Sequence, residues 1–156
     1  MRVTQTAEYA LRAMAYLANL PAGEAIRARD LAVPTNVPPH YLSKLMRRLV
    51  VAGLIHSQKG HGGGFTLARP PEEISLQQVL SAADVELVDD QCAFGWARCN
   101  SAIPCPLHPA WSRLKDACLH WARDTTLADL KGADLNRLKE RLLTQPIAAP
   151  AVAADD

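Results

Sequence analysis

Residues 39–67 constrain the fold more than any other part of this chain. The run PHYLSKLMRRLVVAG sets Leu42, Leu45, Met46 and Leu49 at i, i+3, i+4 and i+7, so one helical face is apolar and has to be covered. Pro39 suits the first helical position and Gly53 the C-terminal cap. The opposite face carries His40, Ser43, Lys44, Arg47 and Arg48. Two short strand candidates follow at once, residues 54–57 and 65–67, on either side of Gln58-Lys59-Gly60-His61-Gly62-Gly63-Gly64. A helix with a basic face and a glycine-dense hairpin behind it predict a wing. Glycine lets such a hairpin approach a sugar-phosphate strand closely, while Lys59 and His61 supply charge. A nucleotide phosphate loop fits poorly, because no Gly-Lys-Ser/Thr opens a helix here.

Upstream, residues 7–19 place Ala7, Leu11, Met14, Ala15 and Ala18 on one face of a first helix, which Pro21 ends. A short second helix is expected from about Ile26 to Ala32, anchored by Leu31 and broken by VPTNVPP. Short helix, turn and basic helix make a helix-turn-helix pattern. Amphipathic pairs with a solvated basic face share that pattern, so on its own it leaves both readings open. Downstream, Ile74, Leu76, Val79 and Leu80 predict one more helix packing on the module, with a boundary between Asp84 and Asp90.

The formal charge of +1 conceals a division. Residues 1–70 hold nine Lys/Arg against three Asp/Glu, net +6, whereas residues 71–156 hold eight against thirteen, net −5. One end suits a polyanion and the other does not, although chance asymmetry of a solvated surface would give the same count. No apolar run approaches the ~18 residues that span a bilayer, and the N-terminus has no secretory apolar core. The expectation is a cytoplasmic protein with no membrane partner. Its 156 residues allow one compact core, or a small domain with an oligomerising arm.

Cys92, Cys99, Cys105 and His108 fall within 17 residues, with six, five and two residues between them. Gly95, Asn100, Pro104 and Pro106 allow that segment to fold back and bring the four donors together. In a reducing compartment clustered thiols point to ligation or redox chemistry rather than to a disulfide framework. A metal or a metal–sulfur cluster is therefore expected. Zinc in a Cys3His set is permitted by the donor types, although zinc motifs more often pair cysteines two to four residues apart. A thiol–disulfide switch is the metal-free alternative. Beyond this segment, Leu107, Trp111, Leu114, Cys118 and Trp121 recur in alternating steps of four and three on a helix starting near Pro109. Such a stripe needs a partner, either the same helix of a second subunit or the chain's own domain. Thr126-Leu127-Ala128-Asp129 reads as a capping box, residues 134–143 as a last helix and QPIAAPAVAADD as a disordered tail.

In order, MRVTQTAEYALRAM, VPPHYLSKLMRRLVVAGLI, KGHGGGFTLARPPEEISLQQVLSAAD, the Cys…Cys…Cys…His set and TLADL resemble the IscR/NsrR-type family of bacterial winged-helix regulators over roughly residues 1–130. The resemblance implies a mainly α fold with a small β-hairpin wing. It divides the chain into a winged helix-turn-helix domain (1–84), a cluster-binding loop (85–108), a long dimerisation helix with C-terminal helices (109–144) and a disordered tail (145–156). It implies a homodimeric transcription regulator, not an enzyme, whose DNA affinity is set by an iron–sulfur cluster that answers to iron, oxidants or nitric oxide. No nucleophile–base pair or carboxylate dyad in the sequence argues otherwise.

Carried over by position, Cys92, Cys99 and Cys105 are the cluster thiolates. His108 stands where the IscR branch has a histidine, which favours a 2Fe-2S cluster. In the NsrR branch an acidic residue of the other subunit completes a 4Fe-4S cluster, and Glu8 stands at that place. Arg2, Pro39, His40, Tyr41, Ser43, Lys44 and Arg47 are expected on double-stranded DNA, with Lys59, His61, Gly62 and Gly63 from the wing and a partly palindromic operator facing the dimer. Trp111, Leu114, Cys118 and Trp121 are expected in the dimer interface. The chain departs from the family in its first cysteine gap, six residues instead of five, and in having Lys59 where arginine is common. A cluster-carrying electron-transfer protein would also account for the cysteines, but leaves the wing and basic helix without a purpose.

Overall fold

The structure, a computed structural model, describes residues 4–88, 90–95, 98–132, 134, 137 and 140. Helix α1 spans Gln5–Ala18, capped by Thr4, whose hydroxyl accepts from the Ala7 amide at 3.2 Å. Its buried face is built largely from Ala7, Ala10, Ala13 and Ala18 around Met14 and Leu17, and small residues let neighbours lie close. Leu11, expected on that face, is only half-buried.

Helix α2 runs Ala28–Thr35, two residues later at its start and three at its end than the periodicity suggests. Ile26 is taken by the sheet instead, where it exchanges amide–carbonyl bonds of 3.1 and 2.8 Å with Phe65. Pro34 fits in the last turn because the helix ends one residue later. The buried Thr35 hydroxyl donates to the Leu31 carbonyl at 2.6 Å.

Helix α3 is Pro39–Val51 and buries Leu42, Leu45, Met46 and Leu49 as its spacing requires. It ends in a Schellman motif, with Gly53 at φ +70°, the Leu54 amide on the Leu49 carbonyl at 3.0 Å and the Gly53 amide on Val50 at 2.9 Å. The same motif closes α2 at Asn36 (φ +54°) and α4 at Asp84 (φ +55°). The antiparallel wing pairs β1 (Ile55–Gln58) with β2 (Gly64–Leu67), in the register Ile55 to Leu67 and Gln58 to Gly64.

A 3-10 turn at Pro71–Glu73 leads into α4, Leu76–Ala82, which opens with a reciprocal capping box between Ser75 and Gln78. Helix α5 covers His108–Asp124 and has one fully buried residue, Ala122. The chain then returns. Leu76 donates to the Thr125 carbonyl and Leu127 to the Ile74 carbonyl, both at 2.9 Å, and the Leu127 side chain is fully buried. Asn19 of α1 clamps the same return by bonding Leu130 and Gly132. Residues 125–132, grouped by sequence with the dimerisation unit, thus complete the core of the winged-helix module.

Most of the expected helix at 134–143, and the tail at 145–156, lie outside the described residues. Among the described residues no helix is long and apolar enough to cross a membrane.

Candidate metal centre and nucleic-acid interface

The four donors come together as two pairs. Cys92 Sγ lies 3.6 Å from Cys105 Sγ, and Cys99 Sγ lies 3.1 Å from His108 Nδ1. His108 is the first residue of α5, so its ring is fixed by helix geometry, and its Nε2 is 3.4 Å from the hydroxyl of Ser112 one turn on. Backbone bonds shape the rest of the loop. The Gly95 amide reaches the Cys92 carbonyl at 2.8 Å, the Cys99 amide reaches Asp90 at 2.6 Å, and the His108 amide reaches Cys105 at 2.9 Å. Asn100 turns the chain by accepting from the Ala102 amide at 2.8 Å. All three cysteines are half-buried. Among the described residues, no three or more His, Cys, Asp or Glu side chains converge on one point.

Glu8 sits on the exposed side of α1, 3.2 Å from Arg12 one turn later. The Arg12 guanidinium in turn lies 5.8 Å from the centre of the Tyr9 ring.

Trp111 donates its indole N–H to the Gln91 carbonyl at 3.0 Å, which fastens α5 to the residue before Cys92. Trp111, Leu114 and Cys118 also line a cavity of about 340 Å³ between α5 and residues 86–88 and 91–93. Part of the stripe assigned to dimerisation therefore faces the chain's own loop. Leu107, Leu114 and Trp121, at steps of seven, remain 42, 47 and 48% exposed.

On the basic side, Pro39, His40, Ser43, Lys44 and Arg47 are exposed on α3 and Lys59, His61 and Gly62 at the wing tip. The Ser43 hydroxyl donates to the Pro39 carbonyl at 2.9 Å. Tyr41 differs from the others. Its ring packs edge-on against Tyr9 at 5.2 Å and its hydroxyl bonds Thr6, so it locks α3 to α1. Gly63 differs too, being buried with its amide committed to the Gly60 carbonyl at 3.0 Å, so it shapes the wing. Arg2 lies outside the described residues.

Three contacts escaped sequence reasoning. Ser112 is legible in retrospect as the i+4 neighbour of His108. Trp111 was assigned to the dimer stripe, and nothing in that spacing marks its bond to Gln91. Arg48 looked like one more cation of the exposed face, yet it is turned to the C-terminus of α4.

The chain matches the family model described as "Rrf2: Iron-dependent Transcriptional regulator" over residues 3–133. A Mycobacterium tuberculosis protein assigned to the HTH-type transcriptional regulators is 34% identical over 135 residues, 86% of this chain and 84% of its own length. The HTH-type transcriptional regulator IscR of Escherichia coli O1:K1 / APEC is 33% identical over 131 residues, 83% of this chain and 80% of its own. Among solved structures, CymR, the global cysteine regulator of B. subtilis, superposes with a TM-score of 0.65 at 26% identity, covering 83% of this chain and 95% of that one. These relatives are regulators and not enzymes. With a basic face on α3, a glycine-rich hairpin and a match that runs through the cysteine segment, the chain belongs to the Rrf2 family of transcriptional regulators.

Proposed function

We propose that this protein is a homodimeric regulator whose affinity for a partly palindromic operator follows an iron–sulfur cluster held by Cys92, Cys99, Cys105 and His108. The pairing of the donors carries this reading. Two thiolates sharing one tetrahedral ion through bonds of about 2.3 Å stand about 3.8 Å apart, and Cys92 and Cys105 are 3.6 Å apart. A two-iron core takes two protein ligands on each iron, which matches two pairs. Zinc is the weaker fit, because its motifs more often pair cysteines two to four residues apart than six and five.

Such a cluster supplies one-electron chemistry at a potential that an imidazole ligand raises. The chain's own part is to hold the donors. Ser112 steadies the His108 ring with Nδ1 toward Cys99, and Trp111 keeps the Cys92 segment against α5. His108 is the favoured fourth ligand because its Nδ1 already lies 3.1 Å from Cys99 Sγ, which favours the 2Fe-2S form over a 4Fe-4S form completed by Glu8. In this reading residues 1–84 contact DNA and residues 85–108 hold the cluster. Helix α5 joins subunits through Leu107, Leu114 and Trp121, with Trp111 and Cys118 at the edge of that contact.

One observation favours a second reading, a metal-free thiol switch. At 3.6 Å, Cys92 and Cys105 need little movement to form a disulfide when a peroxide takes two electrons and the thiol protons leave. The chain is also 28% identical to Staphylococcus aureus CymR, whose structure in the oxidized form superposes with a TM-score of 0.64.

Anaerobic purification separates these readings. The cluster reading expects brown protein with visible absorption that Cys99→Ala abolishes and His108→Ala makes labile. Its DNA affinity, measured by gel shift, changes when the iron is chelated. Colourless wild-type protein with one zinc per chain overturns it. Colourless, metal-free protein that peroxide links through Cys92 and Cys105 assigns the thiol switch.

A further inference from the structure

We infer that Arg48 is a positioning residue that couples the cysteine segment to the recognition helix. This rests on the function proposed above and names the part that would carry its regulation. Arg48 lies on α3, next to the exposed Arg47, but its guanidinium turns the other way. One nitrogen, Nη1, is 3.2 Å from the Ala83 carbonyl and 3.2 Å from a carboxylate oxygen of Asp84. Those two residues are the C-terminal cap of α4. Asp84 holds a left-handed φ of +55°, and there the chain leaves α4 for the cysteines.

The two acceptors have different duties. Asp84 is 74% exposed, so the ion pair is screened by water and adds little to stability. The bond to Ala83 is partly buried and sits on a carbonyl at the negative end of α4, where a cation is favoured. Asp84 therefore directs the guanidinium and Ala83 holds it. Further along, the segment beyond Asp84 is tied to the donors, because Asp90 accepts from the Cys99 amide at 2.6 Å and Gln91 accepts from Trp111. A shift of the cysteine loop thus reaches the cap of α4, and Arg48 is the polar contact that hands it to α3.

The test compares wild type, Asp84→Ala, Arg48→Lys and Arg48→Ala as full-length dimers, with iron bound and after chelation. Two readouts are taken, operator affinity by fluorescence anisotropy and deuterium exchange of the peptide covering α3. Wild type is expected to change affinity between the two states by a factor within the roughly 5- to 150-fold range of such couplings, with a parallel change in α3 exchange. Arg48→Ala is expected to keep the visible spectrum and bring both ratios within about twofold of one, whereas Asp84→Ala, which leaves the bond to Ala83 in place, is expected to retain part of the response. Arg48→Lys, which keeps the charge and can still reach Ala83, is expected to retain part of the response.

Loss of a phosphate contact by Arg48 would instead weaken both states equally and leave the ratio intact, which overturns the proposal. So does α3 exchange in wild type that ignores the cysteine loop while operator affinity still responds. Protein without iron removes the cluster reading alone. The comparison then uses iodoacetamide alkylation of the cysteines as the perturbation, and an α3 response that survives Arg48→Ala overturns the coupling.

Discussion

At the scale of single residues, Gly63 shows how much of the wing is steric. A Cβ there would stand 2.4 Å from the Gln58 carbonyl oxygen and 2.9 Å from that of Gly60, both backbone atoms that cannot turn aside. Gly63→Ala is expected to cost about 1–3 kcal/mol, the range for forcing atoms into a packed site. Thermal unfolding should register this as a lowered Tm, and operator affinity should fall with it as the wing opens. An unchanged Tm would mean that the turn relaxes freely. Gly62 carries a different constraint, φ +74° with open space around it, so strain there is conformational. The sequence showed a glycine cluster suited to a wing, but not which member is tight. That depends on the register of Gln58 against Gly64, which only the folded hairpin sets. The same limit applies to the donors. That Cys92, Cys99, Cys105 and His108 lie near one another was legible from spacing, whereas the pairing of Cys92 with Cys105 and Cys99 with His108 follows from the path of the loop.

Among the elements, caps decide where helices stop and what they hold. Gly53 was readable because only glycine enters αL without penalty, while Asn36 and Asp84 play the same part with side chains that hide it. Thr126 and Asp129, read correctly as a capping pair, open the 3-10 turn Leu127–Leu130 that seats Leu127 in the core. The Thr126 amide, and next its hydroxyl, hold the Asp129 carboxyl below its ordinary 3.8. A depressed acid stabilises the fold fully above pH 3.8 and loses that contribution as pH falls through the lowered value. Asp129→Asn should therefore unfold at lower urea than wild type at pH 7, with the gap narrowing at pH 3. A gap independent of pH would remove the carboxylate from the account. The return of residues 125–132 was not legible, because Leu127 and Leu130 follow a turn and show no period of their own. Helix α5 was legible as amphipathic, yet Trp111, Leu114 and Cys118 of its stripe line a cavity against the chain's own loop. Trp121 lies on the solvent side at 48% exposed, so Trp121→Ser is expected to leave the fold intact and weaken self-association by at least about 2 kcal/mol, roughly 30-fold. Sedimentation equilibrium measures this directly, and unchanged association would move the interface elsewhere.

For the whole molecule, the charge division runs along the chain: the half that is net +6 contains α1, α2, α3 and the wing, whereas the net −5 half contains α4, the cysteine segment and α5. Lys44, Arg47 and Lys59 are exposed on α3 and the wing, and a dimer through α5 would present two such sets of cations to one duplex. Lys44 and Arg47 are both exposed on α3, but they differ in kind. A guanidinium can bond guanine through two parallel N–H groups, while an ammonium acts as a point charge on phosphate. Lys44→Ala is expected to weaken all sequences alike and, with two copies per dimer, to lower the slope of log affinity against log salt by about 1.8. Arg47→Ala is expected to cost about 1–3 kcal/mol per half-site on the preferred operator and to relax the preference at one base pair. Anisotropy titrations against operator variants between 50 and about 200 mM salt separate the two. If Arg47→Ala shifts only the salt slope, it reads phosphate, and base selection belongs to His40 and Ser43 nearer the start of the helix.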